Sequence, residues 1–247
     1  RHPMKTRIIL PDTEGISEAG AILRDGGLVA FPTETVYGLG ANALDAVATK
    51  HIYEAKGRPS DNPMIVHVAS IDMLNEVASD VTDEQKAIMS KLWPGPITFV
   101  LRKNPNVPDV TTGGLDTVAV RWPARREAAE IIEAAGVPIA APSANLSGKP
   151  SPTIFEDVAE DMDGRIDAIV KGERTAIGIE STVLDLTSEI PTILRPGFIT
   201  KSQIEEAVGG DVQYDPSLFK KPGADDFHPK SPGMKYKHYA PKAAVRI

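Results

Sequence analysis

Short apolar runs, several rich in β-branched residues, alternate with stretches of helical periodicity along most of the chain. The runs "RIIL", "LVAFP", "MIVHVA", "ITFVLRK", "TVAVRW", "PIAAPS", "DAIVK", "STVLDL" and "TILRP" each have the length of a strand, with helices fitting between them. That order predicts a single α/β domain. "TVLDL" and "TILRP" are separated only by "TSEI", which predicts a hairpin and hence a mixed parallel and antiparallel sheet. Several helix boundaries carry caps. Asp45 opens "AVATKHIYEAK" and Gly57 stops it, while Thr82 with Gln85, Thr153 with Glu156 and Thr200 with Gln203 have capping-box spacing. From about Gly209 the periodicity fades and Pro, Gly, Asp and Lys dominate. The chain therefore reads as a domain over 4–209 followed by a linker over 210–247. Arg1-His2-Pro3, ahead of Met4, stay outside this reading.

Alternation inside two strands assigns faces. In "MIVHVA", Met64, Val66 and Val68 share one face and His67 shares the other with Ile65. In "TVAVRW", Val118, Val120 and Trp122 form an apolar face opposite Thr117, Ala119 and Arg121. An arginine on a strand otherwise made for burial is costly unless an anion meets it. Either a ligand or a neighbouring Asp or Glu would serve. A single His67 is equally consistent with a hydrogen-bonded structural histidine.

Composition narrows the chemistry. The net charge of −7 disfavours a broad nucleic-acid surface, so phosphate binding requires a local cationic cluster. The absence of cysteine removes disulfides, thiolate nucleophiles and cysteine zinc sites. No apolar run approaches the roughly 20 residues of a membrane helix, and the first residues lack a signal-peptide core, so a cytoplasmic location is expected.

Polar groups cluster in a few motifs. In "FPTETVYGLGANA", read as extended, Thr33, Thr35 and Tyr37 face one side and Glu34 and Val36 the other. Gly38, Gly40 and Ala43 spell a variant dinucleotide fingerprint, although the interrupted strand before them equally suits a glycine-permitted strand-to-helix turn. In "KGRPSDNP", Lys56 and Arg58 flank a glycine, and Asn62 precedes a proline that favours extended backbone. Such cations fit a polyphosphate, or simply complement the helix C-terminus. "APSANLSGKPSPT" offers Ser143, Asn145, Ser147 and Ser151, and its "SGKP" lacks the glycine and hydroxyl residue of a P-loop. "GIESTVLDL" adds Ser181, and "ILRPG" places Arg195 at a strand end. These are cations and neutral hydrogen-bonders without a nucleophile and base. They favour catalysis by positioning and charge stabilisation, as in phosphoryl or nucleotidyl transfer.

Taken together, "PTETVYGLG", "KGRPSDNP", the Ser143–Asn145 pair, "GIESTV", "LRPG" and the tail "SPGMKYKHYAP" resemble the YrdC/TsaC family of threonylcarbamoyl-AMP synthases from about Leu28 onward. The resemblance implies a YrdC-like domain with a twisted mixed sheet flanked by helices. It implies synthesis of threonylcarbamoyl-AMP and pyrophosphate from L-threonine, bicarbonate and ATP, with Mg²⁺ accompanying ATP through ligands the sequence does not identify. The product would pass to a tRNA threonylcarbamoyl transferase, with no membrane association and no stable direct tRNA binding. Carried over motif by motif, Lys56, Arg58, Asn62, Thr117, Ser143, Asn145, Ser151, Arg195, Tyr236 and His238 form the ATP set, Lys56 and Arg58 being also catalytic. Thr35, His67, Arg121, Ala141 and Ser181 form the threonine set, with Arg121 on the carboxylate. The tail matches the longer branch of the family, whose C-terminal domain is expected to be missing here. Its Tyr236 and Tyr239, with Lys235, Lys237 and His238, are expected to fold over the site and exclude water. Two other readings remain: a carbamoyltransferase using carbamoyl-adenylate, and a non-catalytic RNA-binding module.

Overall fold

The computed structural model describes residues 4–57 and 62–219. The chain runs β1 (Arg7–Ile9), α1 (Thr13–Arg24), β2 (Val29–Pro32), β3 (Tyr37–Asn42), α2 (Ala46–Lys56) and β4 (Ile65–His67). It continues through α3 (Ile71–Val77), α4 (Asp83–Leu92), β5 (Ile97–Arg102), α5 (Asp109–Thr112), β6 (Thr117–Arg121), α6 (Arg126–Ala135) and β7 (Ile139–Ala140). Then follow α7 (Phe155–Met162), β8 (Ala168–Val170), β9 (Thr182–Asp185), β10 (Thr192–Arg195), α8 (Lys201–Val208) and β11 (Gln213–Tyr214). The described strands make one mixed sheet in the order β1-β8-β2-β3-β7-β4-β6-β5-β9-β10-β11. The β9–β10 hairpin expected from "TSEI" is antiparallel, while β4–β6 and β5–β9 pair in parallel.

The two assigned strand faces separate as their alternation requires. Met64, Val66, Val68, Val118 and Val120 enter the main core together with residues of the helices. Ile65 and Ala119 instead join Val100, Val183 and Leu194 in a small second cluster that contains no helix residue. His67 and Arg121 share that second face, so the functional side of the sheet is the one its helices leave thinly covered.

Three local readings change. Thr33 to Val36 is a tight turn: the Thr33 hydroxyl donates to Val36 O at 2.7 Å and accepts from Thr35 N and Val36 N. The segment is thus a β2–β3 hairpin and not one alternating strand. Gly38 and Gly40 lie inside β3, so they form neither a dinucleotide loop nor a strand-to-helix turn. Thr153 caps nothing, because α7 begins at Phe155 behind Ile154 without a side-chain cap. The capping boxes at Thr82 and Thr200 are present, as are the Asp45 cap and the left-handed stop at Gly57 (φ 67°). Beyond 209 the expected linker opens instead with β11, which adds in parallel to β10. Tyr214 stacks edge-on to Phe219 there. No described helix is long and apolar enough to cross a membrane.

Helix α1 packs on α6 so closely that a Cβ on Gly20 would lie 2.6 Å from Ala134 Cβ and 2.7 Å from backbone atoms of Ala134 and Ala135. Alanine is the better helix former by about 1 kcal/mol, but overpacking costs about 1–3 kcal/mol when backbone must shift. Gly20→Ala is therefore expected to be destabilising on balance. Urea denaturation checks this: the midpoint should fall with little change in slope, and a rise in midpoint would show that the helices part without strain.

Candidate active site

Strand register builds the site. β4 and β6 run in parallel with His67 opposite Arg121, and β5 brings Thr98 to the other side of Arg121. Thr98 also pairs with Val183 of β9, and its hydroxyl lies 2.7 Å from that of Ser181. Arg195, closing β10, donates from Nε to Ser181 O at 3.0 Å and from Nη2 to Ser181 Oγ at 3.2 Å. From the opposite flank, Gly38 bridges to Ser143, and Ala141 N donates to Ile65 O at 3.0 Å. The loop before β9 is strapped to the hairpin turn by Ile177 N to Glu34 O and Gly178 N to Thr35 O, each 3.0 Å. These pieces surround a cleft open to solvent, onto which Thr35, Asn62, His67, Arg121, Ala141, Ser143, Ser181 and Arg195 all face.

Arg121 is buried and yet charged. Burial pulls its pKa below the usual arginine value, Glu34 opposes that, and nearby Arg195 adds to the fall. Nη1 donates to Thr35 Oγ1 at 2.8 Å and Nε to Gly95 O at 3.3 Å. Nη2 lies 2.5 Å from Glu34 Oε1, but the two are misaligned for hydrogen bonding, and neither atom has another aligned partner. Of the two anions open to Arg121 from the sequence, a neighbouring carboxylate is thus present. The guanidinium nevertheless still borders the cleft.

Burial first, and then the charge of Arg121, push the His67 pKa down to about 3, against hydrogen bonds to backbone of Ile65 and Ile139. The ring is neutral near pH 7, and its Nδ1 has no hydrogen-bond partner among the described residues. Asn62 is similar: its backbone carbonyl accepts from the Tyr53 hydroxyl, while its side-chain Oδ1 is buried without an aligned partner. Such unpaired buried atoms are rare in a closed core and common where a ligand completes the bonding.

Other residues expected at the site sit elsewhere. The Lys56 ammonium is buried and donates to Ser143 O, to Asn145 O at 2.8 Å and to Asn145 Oδ1 at 3.4 Å. It ties down the loop that presents Ser143 and does not line the cleft. Asn145 braces the same loop through Leu146 O and Lys149 O, both 2.8 Å. Thr117 opens β6 at the end away from Arg121, about 13 Å along the strand, outside the cleft lining. Ser151 is half-buried and also outside it, beside Pro152, whose carbonyl accepts from Tyr37 N at 2.9 Å. Arg58, Tyr236 and His238 lie outside the described residues, as does the whole "SPGMKYKHYAP" segment. Sequence reasoning passed over Glu34, Thr98 and Glu180. The first and last sit inside quoted motifs, while Thr98 is marked only by the strand pairing.

A family model described as "Telomere recombination", spanning Sua5, YciO and YrdC proteins, matches residues 21–197. A second, described as the C-terminal domain of threonylcarbamoyl-AMP synthase, matches residues 199–247. That match overturns the expectation of a missing C-terminal domain. Its matched stretch opens with α8 and β11; Ile204 and Ala207 of the helix, and Val212 just before the strand, are buried despite the polar composition around them. A threonylcarbamoyl-AMP synthase of Pyrococcus abyssi is 54% identical over 229 residues, 93% of this chain and 66% of the relative. One from Bacillus subtilis is 54% identical over 234 residues, 94% of this chain and 66% of the relative. The chain thus spans just under two thirds of the length of these relatives. Among solved structures, P. abyssi Sua5 complexed with L-threonine superposes with a TM-score of 0.87 at 50% identity, covering 94% of this chain and 68% of that one.

Two outcomes follow from the burial of these groups. Lys56→Met keeps the stem but orphans the loop carbonyls, at a cost of at least about 2 kcal/mol. Thermal unfolding should register that loss, and an unchanged midpoint would mean the loop holds without the ammonium. For His67, the folded pKa of about 3 lies below the ordinary 6.5, so between those values the unfolded state binds the extra proton. Stability should then fall by about 2 kcal/mol from pH 7 to pH 5 on this account. His67→Gln should show a correspondingly flatter pH profile, and identical slopes would contradict a buried neutral imidazole.

Proposed function

This chain belongs to the Sua5/YciO/YrdC family, and from that premise we propose that it is a threonylcarbamoyl-AMP synthase. It joins L-threonine, bicarbonate and ATP into threonylcarbamoyl-adenylate with release of pyrophosphate, in the cytoplasm. The product supplies a tRNA threonylcarbamoyl transferase. One observation carries the reading: two buried arginines, Arg121 and Arg195, converge on a cleft whose other polar lining is hydroxyls, a neutral His67, the unpaired Asn62 Oδ1 and the carboxylate of Glu180. That set suits a carboxylate and a phosphate held near small polar groups, and it offers no nucleophile with a base.

Arg121 receives the threonine carboxylate, with Thr35, His67, Ala141 and Ser181 around the rest of the amino acid. Arg195, Asn62 and Ser143 face the nucleotide, and Lys56 and Asn145 act on it through the loop that carries Ser143. Thr117, Ser151, Arg58, Tyr236 and His238 complete the proposed ATP set. The carbamate formed on the threonine amine attacks the α-phosphorus, its oxygen–phosphorus bond forming as the bond to pyrophosphate breaks in line. The protein contributes alignment and fixed positive charge. Magnesium accompanies ATP in this reading. Among the described residues no group of three His, Cys, Asp or Glu could cage it, which is compatible with an ion carried largely by phosphates and water.

Pyrophosphate release is expected to require both threonine and bicarbonate, and release that persists without threonine would sink the assignment. Arg121→Lys keeps a charge but loses the fork. It should lower kcat/KM for threonine at least tenfold, about 1.4 kcal/mol in the barrier, with ATP affinity little changed.

A further inference from the structure

Four ionisable side chains among the described residues line the cleft: His67, Arg121, Glu180 and Arg195. Two are guanidinium groups, and burial keeps His67 neutral. Glu180 is therefore the anion that this lining offers. Its carboxylate lies 3.5 Å from Arg195 Nη1 and keeps 26% of its side-chain exposure. That distance is long for a charge-assisted hydrogen bond. Arg195 does not depend on the contact, being anchored through Nε and Nη2 on Ser181. Glu180 is thus only loosely engaged and can turn to a ligand.

Glu180, just ahead of β9, and Arg121, closing β6, line the same cleft. Thr98 pairs with Arg121 on one side and Val183 on the other, which sets β6 and β9 two strand spacings apart, about 10 Å. Val183 is the β9 residue level with Arg121, and Glu180 lies three residues before it, directly preceding Ser181, whose hydroxyl meets Thr98 on the strand between. A free α-amino acid carries a carboxylate and an ammonium on one carbon, each able to take a charge-assisted bond of about 2.8 Å, so one molecule in the cleft can engage a guanidinium and a carboxylate together. Without an anion the ammonium would face two guanidinium groups already close enough for Arg195 to depress the pKa of Arg121.

We propose that Glu180 holds the α-ammonium of the amino-acid substrate while Arg121 holds its carboxylate, so that the cleft reads the zwitterion at both ends. This rests on the amino-acid reading of the site given above. It makes Glu180 a binding residue in contact with substrate, and it fixes the amine where the carbamate must form.

The test is calorimetric titration of the whole chain, without nucleotide or magnesium, using L-threonine and its deaminated analogue 3-hydroxybutanoate. The wild-type protein should favour threonine at least tenfold. Glu180→Gln should lose that preference by weakening threonine tenfold or more while leaving the analogue unchanged, which also shows the variant to be folded. Unchanged threonine affinity in Glu180→Gln, beside a wild type that binds it, overturns the proposal alone. Equal weakening of threonine and analogue overturns it too. No threonine binding by the wild type would sink the amino-acid reading itself, and this assignment with it.

Discussion

A guanidinium buried at the end of a central strand organises this molecule. Taking Arg121 out of water is worth several kcal/mol against folding unless its charge is met, and the structure meets it from three directions. Glu34 supplies the opposing charge, Thr35 an acceptor hydroxyl and Gly95 a carbonyl. Two of those three come from the β2–β3 turn, so the turn is required in place for the arginine to be tolerated. The turn in turn clasps the loop before β9, through Glu34 O and Thr35 O. One desolvated charge therefore couples a hairpin, a strand end and a loop from distant parts of the chain.

The same charge decides the chemistry of its neighbours. His67 sits beside it in register and, already penalised by burial, cannot take a proton near neutrality. The ring there is a neutral hydrogen-bonding group and not a further positive charge. What is left is a fixed field of hydrogen bonds and positive charge, the kind of environment that stabilises a developing anion without reorganising. Lys56 extends that field indirectly. Its ammonium is spent on the carbonyls of Ser143 and Asn145 and so converts a Ser/Asn-rich loop, which would be mobile by composition, into a fixed wall of the cleft.

Most strands were legible because their period and boundaries are local properties. The faces of "MIVHVA" and "TVAVRW" followed from alternation alone, and they correctly separated Arg121 and His67 from the main core. The failures were non-local or polar. The "PTET" segment reads as extended by composition, and only the hydrogen bonds of the Thr33 hydroxyl make it a turn. β11 is two residues long and exists because β10 offers an edge. Thr98 carries no motif at all, since its role comes from sitting between Arg121 and Ser181 in a sheet whose order, β6-β5-β9, no local pattern encodes. Lys56 was legible as a special cation but not as a buried one, because the acceptors it serves lie in another segment.

The polar atoms that remain unpaired give the site its direction. His67 Nδ1 and Asn62 Oδ1 are buried on the side of the sheet that the helices leave thin, and each costs about 1–3 kcal/mol while it lacks a partner. A fold can carry such costs only where the rest is secured, and here the apolar layer of helices on the other face secures it. The penalty is recovered when a ligand supplies the missing partners, so binding and stability draw on the same atoms. Selection for a ligand with complementary polar groups then follows from the folded state itself. An apolar molecule of the same size would leave His67 and Asn62 as unsatisfied as before.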